Sequence, residues 1–318
     1  MRHGCPIPSP PDTLLREADA ALYAVKEAGR GHHQLFNPQR QLASTDRLAV
    51  EHAIRLGLCR GEFVLHYQPE VELTTQRIVA VEALIRWQHP DRGFLPPSEF
   101  IPIAEEANLI VPMGEWVLSE ACSQLARWRA SGTADRSLQV AANVSPRQLS
   151  DPGLPRAVSD ALTSARLEPE ALCLEIRESA VVHDSAIVRS NLRDLKDMGV
   201  RLALDDFGVG FSSLSQIREL PPVDVIKLDR SFTSGLGTNE SDSAVVLAFL
   251  SLARSLGLKA VAEGIDTEAQ LARLIEEGCD IGQGFHFARP QAARDIEQLL
   301  SDDSHGSAVV AVGGGDGA

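Results

Sequence analysis

Seven stretches of this sequence place a carboxylate, an amide or a lysine where an apolar, β-prone run ends. They are Glu82 in AVEALI, Asn143 in VAANVS, Glu175 in LCLEIRES, Asp205 with Asp206 in LALDDFG, Lys227 with Asp229 in VIKLDR, Glu263 in AVAEG, and Gln283 after Ile281. One carboxylate in a buried strand is costly unless it is paired. Four or five converging on one point would repel one another, and a divalent cation relieves that repulsion. Carboxylates and an Asn amide oxygen, without His or Cys, suit Mg²⁺ or Mn²⁺ rather than Zn²⁺. Adjacent Asp205 and Asp206 could serve two ions, with Asp205 bridging. Two ions about 4 Å apart form a clamp for in-line phosphodiester hydrolysis. Lys227 could orient the attacking water or help deprotonate it. Singly, each residue has an ordinary explanation: Glu82 as an ion-pair partner, Asn143 as an Asx turn before Pro146, Asp205–Gly208 as a strand end. Their recurrence at successive strand ends favours chemistry.

Such positions need a scaffold that gathers consecutive strand ends. Apolar β-rich runs occur at Phe63–Tyr67, Ile78–Trp87, Leu138–Val144, Leu172–Ile176, Arg201–Asp205, Val225–Leu228, Lys259–Ala262 and Ile281–Phe287. Helical patterns separate most of them: Ser98–Asn108, Gly114–Ala130, Leu154–Ser164, Ala186–Met198, Ser241–Leu256 and Glu268–Glu277. This alternation predicts an α/β protein, a (β/α)8 TIM-type barrel whose chemistry lies at the carboxyl ends of its strands. The connection Thr74–Arg77 is too short for a crossover helix. The first two strands should therefore pair antiparallel, giving a barrel with a reversed first strand.

Composition narrows the partners. The 318 residues carry 44 acidic and 30 basic side chains, a net charge of −14. A protein that binds DNA by counterion release is normally basic, so no DNA partner is expected. No apolar run reaches the length of a membrane span, and Met1–Pro6 does not open a signal peptide. Five scattered cysteines without a CxxC pair read as reduced thiols in a cytoplasm. Asp12 can cap a helix reaching about Ala28, Asn37–Thr45 reads as a linker, and Ser301–Ala318 as a disordered tail. The expected division is residues 1–45, 46–300 and 301–318.

The motifs together resemble the EAL-domain family. They are Tyr67-Gln68-Pro69, Glu82-Ala83-Leu84-Ile85-Arg86-Trp87, Asn143-Val144-Ser145, Glu175-Ile176-Arg177-Glu178-Ser179, Asp205-Asp206-Phe207-Gly208, Lys227-Leu228-Asp229-Arg230, Ala262-Glu263-Gly264-Ile265-Asp266 and Gln283-Gly284-Phe285. The resemblance implies a cytoplasmic phosphodiesterase that linearises cyclic di-GMP to pGpG with two Mg²⁺ or Mn²⁺ ions, inhibited by Ca²⁺ and assembled as a homodimer. It implies that Glu82, Asn143, Glu175 and Asp205 hold the first metal, and Asp205 and Asp206 the second, supported by Glu263. Lys227 matches the lysine beside the nucleophilic water. Gln68, Leu84 and Arg86 match substrate contacts, Gln283 lines the centre, and Glu178 matches the glutamate anchoring the loop after Asp206. Arg177, Val209 and Asp266 depart from the family pattern, where Thr, Thr and Glu are usual. A module that binds cyclic di-GMP or a protein partner without turnover is the second reading. Leu14–Gly31 resembles the last helix of a GGDEF diguanylate cyclase domain, whose signature this chain lacks. No cyclase activity is expected.

Overall fold

The computed structural model describes residues 38–181, 185–208, 222–236 and 239–304. Contacts divide the chain into residues 1–56 and 57–318. The described part of the first unit belongs to the helix Pro38–Arg60, which begins inside the stretch read as a linker. The expected helix at Leu14–Gly31, Val209 and residues 305–318 lie outside the described residues.

The second unit is a barrel. Strand β1 (Phe63–Glu72) runs antiparallel to β2 (Arg77–His89). From β2 the strands continue parallel through β4 (Gln139–Val144), β5 (Leu172–Arg177), β6 (Arg201–Phe207), β7 (Val225–Leu228), β8 (Lys259–Ala262) and β9 (Ile281–Gly282). β9 returns to β1 antiparallel and closes the ring. Two short strands, β3 (Gly93–Leu95) and β10 (Gln291–Ala292), pair antiparallel with β2 and β1. The expected reversed first strand is present.

The helices follow the sequence reading closely: Ile110–Ser131, Leu154–Ala165, Ala186–Met198, Glu240–Leu256 and Glu268–Glu276. A last helix, Ala293–Ser304, runs past residue 300. The run Ile281–Phe287 yields only a two-residue strand. There the chain must turn against its neighbour. A Cβ on Gly284 would fall 2.1 Å from the Ile265 carbonyl oxygen, so only glycine permits this approach.

Side chains alternate along a strand. Ala141, Cys173, Ala203, Val225, Val261 and Ile281 face inward and form a small apolar floor. Two residues on along each chain stand Asn143, Glu175, Asp205, Lys227, Glu263 and Gln283. The strand period therefore puts all six in one layer above that floor. The outward residues, among them Val140, Leu174, Leu204 and Ile226, pack under the helices.

Candidate active site

Lys227 is the centre of the layer. Its side chain is 1% exposed, and its Nζ faces Glu175 Oε1 at 2.6 Å, Glu263 Oε1 at 3.0 Å, Glu70 Oε1 at 3.2 Å and Glu82 Oε2 at 3.8 Å. Glu82 is fixed from both flanks. Asn143 Nδ2 donates to its Oε1 at 2.6 Å, and Gln283 Nε2 donates to its Oε2 at 2.7 Å. Gln283 Nε2 also reaches Gln68 Oε1 at 3.2 Å, and Gln68 Nε2 donates to the Ala288 carbonyl at 3.0 Å. This chain of amides ties β1, β2, β4 and β9 at one height. Asn143 is free to serve it because Ser145, not Asn143, caps the following short helix, taking the Gln148 N–H.

Asp205 and Asp206 are brought to one side by a break in the strand. Asp206 adopts a left-handed conformation, φ 55°, and the β6–β7 register shifts between Leu204 and Phe207. Asp tolerates this conformation better than most residues. Without it, neighbouring side chains would point to opposite faces. Asp205 Oδ1 accepts the Asp206 N–H at 2.8 Å.

Charge at the site follows from burial and crowding. Burial, then Glu82, raises the Glu175 carboxyl well above its usual value. Burial also raises Asp205, against the pull of Lys227. It raises Glu263 to about 7. Glu82 is lowered, because Lys227, Gln283 and Asn143 outweigh its burial. Burial would strip Lys227 of its proton, but Glu175, Glu82, Glu263 and Glu70 overcome that and raise it. Among the described residues, no three His, Cys, Asp or Glu side chains are gathered closely enough to hold a metal ion as they stand. Lys227 occupies their meeting point. Glu175 Oε2 and Gln283 Oε1 are nevertheless buried without a hydrogen-bond partner. Buried acceptors of this kind, on hard oxygen ligands, fit a divalent cation.

A pH dependence of stability follows. Glu263 is raised in the fold, so the folded chain keeps a proton that the unfolded chain has released. That stability is fully present below about pH 4.5 and is lost as pH rises through about 7. Melting in EDTA should show the wild type losing more stability than Glu263→Gln across this window. Equal pH slopes would contradict the assignment.

The chain that builds this layer matches a known family. The model of the EAL domain covers residues 49–290, most of the chain. The chain belongs to the EAL-domain family. It is 42% identical over 288 residues to the bifunctional diguanylate cyclase/cyclic di-GMP phosphodiesterase MucR of Pseudomonas aeruginosa, covering 91% of this chain and 41% of MucR. It is 36% identical over 285 residues to the cyclic di-GMP phosphodiesterase PdeR of Escherichia coli, covering 90% of this chain and 42% of PdeR. The chain thus spans less than half of these relatives. Among solved structures, a MucR phosphodiesterase in complex with c-di-GMP superposes with a TM-score of 0.73 at 42% identity, covering 78% of this chain and 99% of the other. The EAL domain of Mycobacterium smegmatis DcpA gives 0.64 at 38% identity, covering 76% and 97%.

Within this EAL domain, the remaining sequence candidates sort by contact. Leu84 and Arg86 follow Glu82 on the same inward face of β2, opposite His66 and Val64 of β1. Arg86 Nη1 donates to the Ile85 carbonyl at 2.9 Å. Glu178 is buried, and its Oε2 accepts the Gly208 N–H at 3.3 Å, an anchor on the segment after Asp206. Arg177 lies at the rim, 63% exposed, with its Nε 3.3 Å from Asp206 Oδ2. Asp266 accepts the Phe285 N–H at 3.2 Å, so it ties the Glu263 turn to the Gln283 turn. Asp229 is an N-cap, accepting the Ser231 N–H at 2.9 Å. Glu70 was not among the sequence candidates. It lies in YQPEV, beyond the Tyr67 at which the first apolar run was ended, and its spacing of two from Gln68 is the signal that marks it.

Proposed function

We propose that this chain hydrolyses cyclic di-GMP to linear pGpG as a metal-dependent phosphodiesterase. The observation that carries this reading is the layer of Glu82, Asn143, Glu175, Asp205, Glu263 and Gln283 around a buried Lys227, in a chain 42% identical to a phosphodiesterase solved with c-di-GMP. EAL phosphodiesterases depend on metals. Here Glu82, Asn143, Glu175 and Asp205 would hold one Mg²⁺ or Mn²⁺, and Asp205 and Asp206 a second, with Glu263 beside it. When bound, such ions polarise the phosphodiester and lower the pKa of water.

The chain's own groups do the rest. Lys227 holds a proton and a positive charge where the attacking water and the phosphate meet. Glu263, raised to about 7, can accept a proton near neutral pH. Arg86 offers a guanidinium to a phosphate oxygen, and Gln68, Gln283 and Leu84 shape the floor and wall beneath the ligand. Glu178 keeps the Asp206 turn in place through the Gly208 N–H. Ca²⁺, with its longer and looser coordination, should permit binding and inhibit turnover.

We further propose a homodimer formed through the EAL domain and a cytoplasmic location. No helix among the described residues is long and apolar enough to cross a membrane. Cys59, Cys122, Cys173 and Cys279 are free thiols. Residues 1–45 are proposed as the end of a GGDEF domain with no cyclase activity, 46–300 as the phosphodiesterase domain and 301–318 as a tail. In support, the 288-residue match to MucR is longer than residues 49–318 can supply, so it includes residues before the EAL domain.

Incubating purified protein with cyclic di-GMP and Mg²⁺ or Mn²⁺, and separating products by chromatography, tests the reading; pGpG is expected, and none in EDTA. The Arg177–Asp206 pair favours the second reading, a receptor that binds without turnover, because it sets a cation against a candidate metal ligand. Both partners are exposed, and such a pair contributes only about 0–1 kcal/mol. Metal should therefore displace Arg177. Arg177→Thr is expected to lower the Mg²⁺ needed for half-maximal rate severalfold while leaving KM for cyclic di-GMP within about twofold. An unchanged Mg²⁺ titration would show that the pair does not compete with metal.

A further inference from the structure

The reversed first strand brings one more charge to Lys227. Gln68 pairs with Glu82 across β1 and β2, and Glu70 pairs with Ala80. Residues two apart share a face, so Glu70 lies on the inward side, one pleat farther from the mouth than Gln68. It is 6% exposed. Its Oε1 is 3.2 Å from Lys227 Nζ and has no hydrogen-bond partner beyond that contact. Lys227 is thus held between three carboxylates of the upper layer and one carboxylate below. The upper ones have other duties. Glu82 receives Asn143 and Gln283, and Glu175 keeps a buried oxygen unpartnered. Among the described residues, nothing else engages Glu70 Oε1.

We propose that Glu70 is a positioning residue that anchors the Lys227 ammonium from the floor of the barrel. The inference rests on the phosphodiesterase reading. Cations held by Glu82 and Glu175 neutralise the charge that attracts Lys227 and repel the ammonium itself. Glu70, on the far side of the lysine from those cations, then balances the ammonium together with Glu263. A lysine is a point charge on a flexible stem, and its place depends on such contacts. Misplacement by about 1 Å of a group near the reacting atoms can cost about a hundredfold in rate.

Glu70→Gln keeps the shape and removes the charge. With Mn²⁺, kcat is expected to fall about tenfold or more, with KM for cyclic di-GMP and Mn²⁺ affinity by calorimetry each within about twofold of wild type. Glu70→Asp keeps the charge on a shorter arm and should recover part of kcat. If Glu70→Gln does not fold, as judged by cyclic di-GMP binding in Ca²⁺, Glu70→Asp carries the same comparison. In metal-free protein, Glu70→Gln should lower the melting temperature of the wild type and raise that of Lys227→Met, where Glu70 has lost its counter-charge. Wild-type kcat in Glu70→Gln would overturn the inference and leave the function standing. Equal losses in kcat, KM and Mn²⁺ affinity would also overturn it, by making Glu70 a general support of the barrel. A wild type without turnover removes the phosphodiesterase reading first, and this inference with it.

Discussion

Glu82→Ala is expected to lower turnover of cyclic di-GMP at least about a hundredfold, and Asp205→Ala the same. Each removes a charged oxygen from the proposed metal-binding layer, and ligand loss at a metal site that activates water costs several kcal/mol of transition-state stabilisation. Glu82 has a second function that deepens the loss. It receives Asn143 and Gln283 and lies 3.8 Å from Lys227, so alanine frees three neighbours at once. Asp205 accepts the N–H of Asp206, so its loss also loosens the left-handed turn that places Asp206. Mn²⁺ calorimetry on the same variants separates the causes: both should lose metal affinity along with rate. Turnover near wild type in either variant would remove the metal assignment.

Lys227→Met should abolish turnover and also destabilise the metal-free fold, by about 3–5 kcal/mol. Breaking a buried ion pair from one side leaves the other charge uncompensated. Here four carboxylates share the lysine, and Glu175 and Glu70 are almost wholly buried. Mn²⁺ should restore much of the lost stability, because divalent charge replaces the ammonium among the same oxygens. Melting curves in EDTA and in Mn²⁺ read this directly. A variant as stable as wild type in EDTA would mean that the carboxylates shed their charge by protonation and that the lysine contributes little to the fold.

The upper layer was legible in the sequence because six of its members interrupt apolar runs on strands of one direction. In those strands the floor residue comes first and the polar residue two positions later, as Cys173 precedes Glu175 and Ala203 precedes Asp205. The reversed strand inverts that order. Its mouth lies at its amino end, so the residue after Gln68 goes deeper, and Glu70 escaped a reading that sought polar groups at carboxyl ends. The Asp206 turn was also hidden. Two adjacent aspartates suggest two ligands, but alternation along a strand sets them on opposite faces until one residue turns left-handed. Gln283 was found in a run expected to be a seven-residue strand, whereas the close approach of Gly284 to Ile265 ends it after two. Arg177 stood out in the sequence only as a departure from the family pattern. Its partner, Asp206, emerged only when the turn placed that carboxylate beside it.

The most direct measurement is product analysis by mass spectrometry after incubating the chain with cyclic di-GMP in ¹⁸O-labelled water. If the residues around Lys227 deliver a water to the phosphodiester, pGpG forms with one ¹⁸O on its terminal phosphate, with Mg²⁺ or Mn²⁺ and not with EDTA or Ca²⁺. Cyclic di-GMP that is bound but unchanged in Mn²⁺, or a product formed equally well in EDTA, would contradict the central claim.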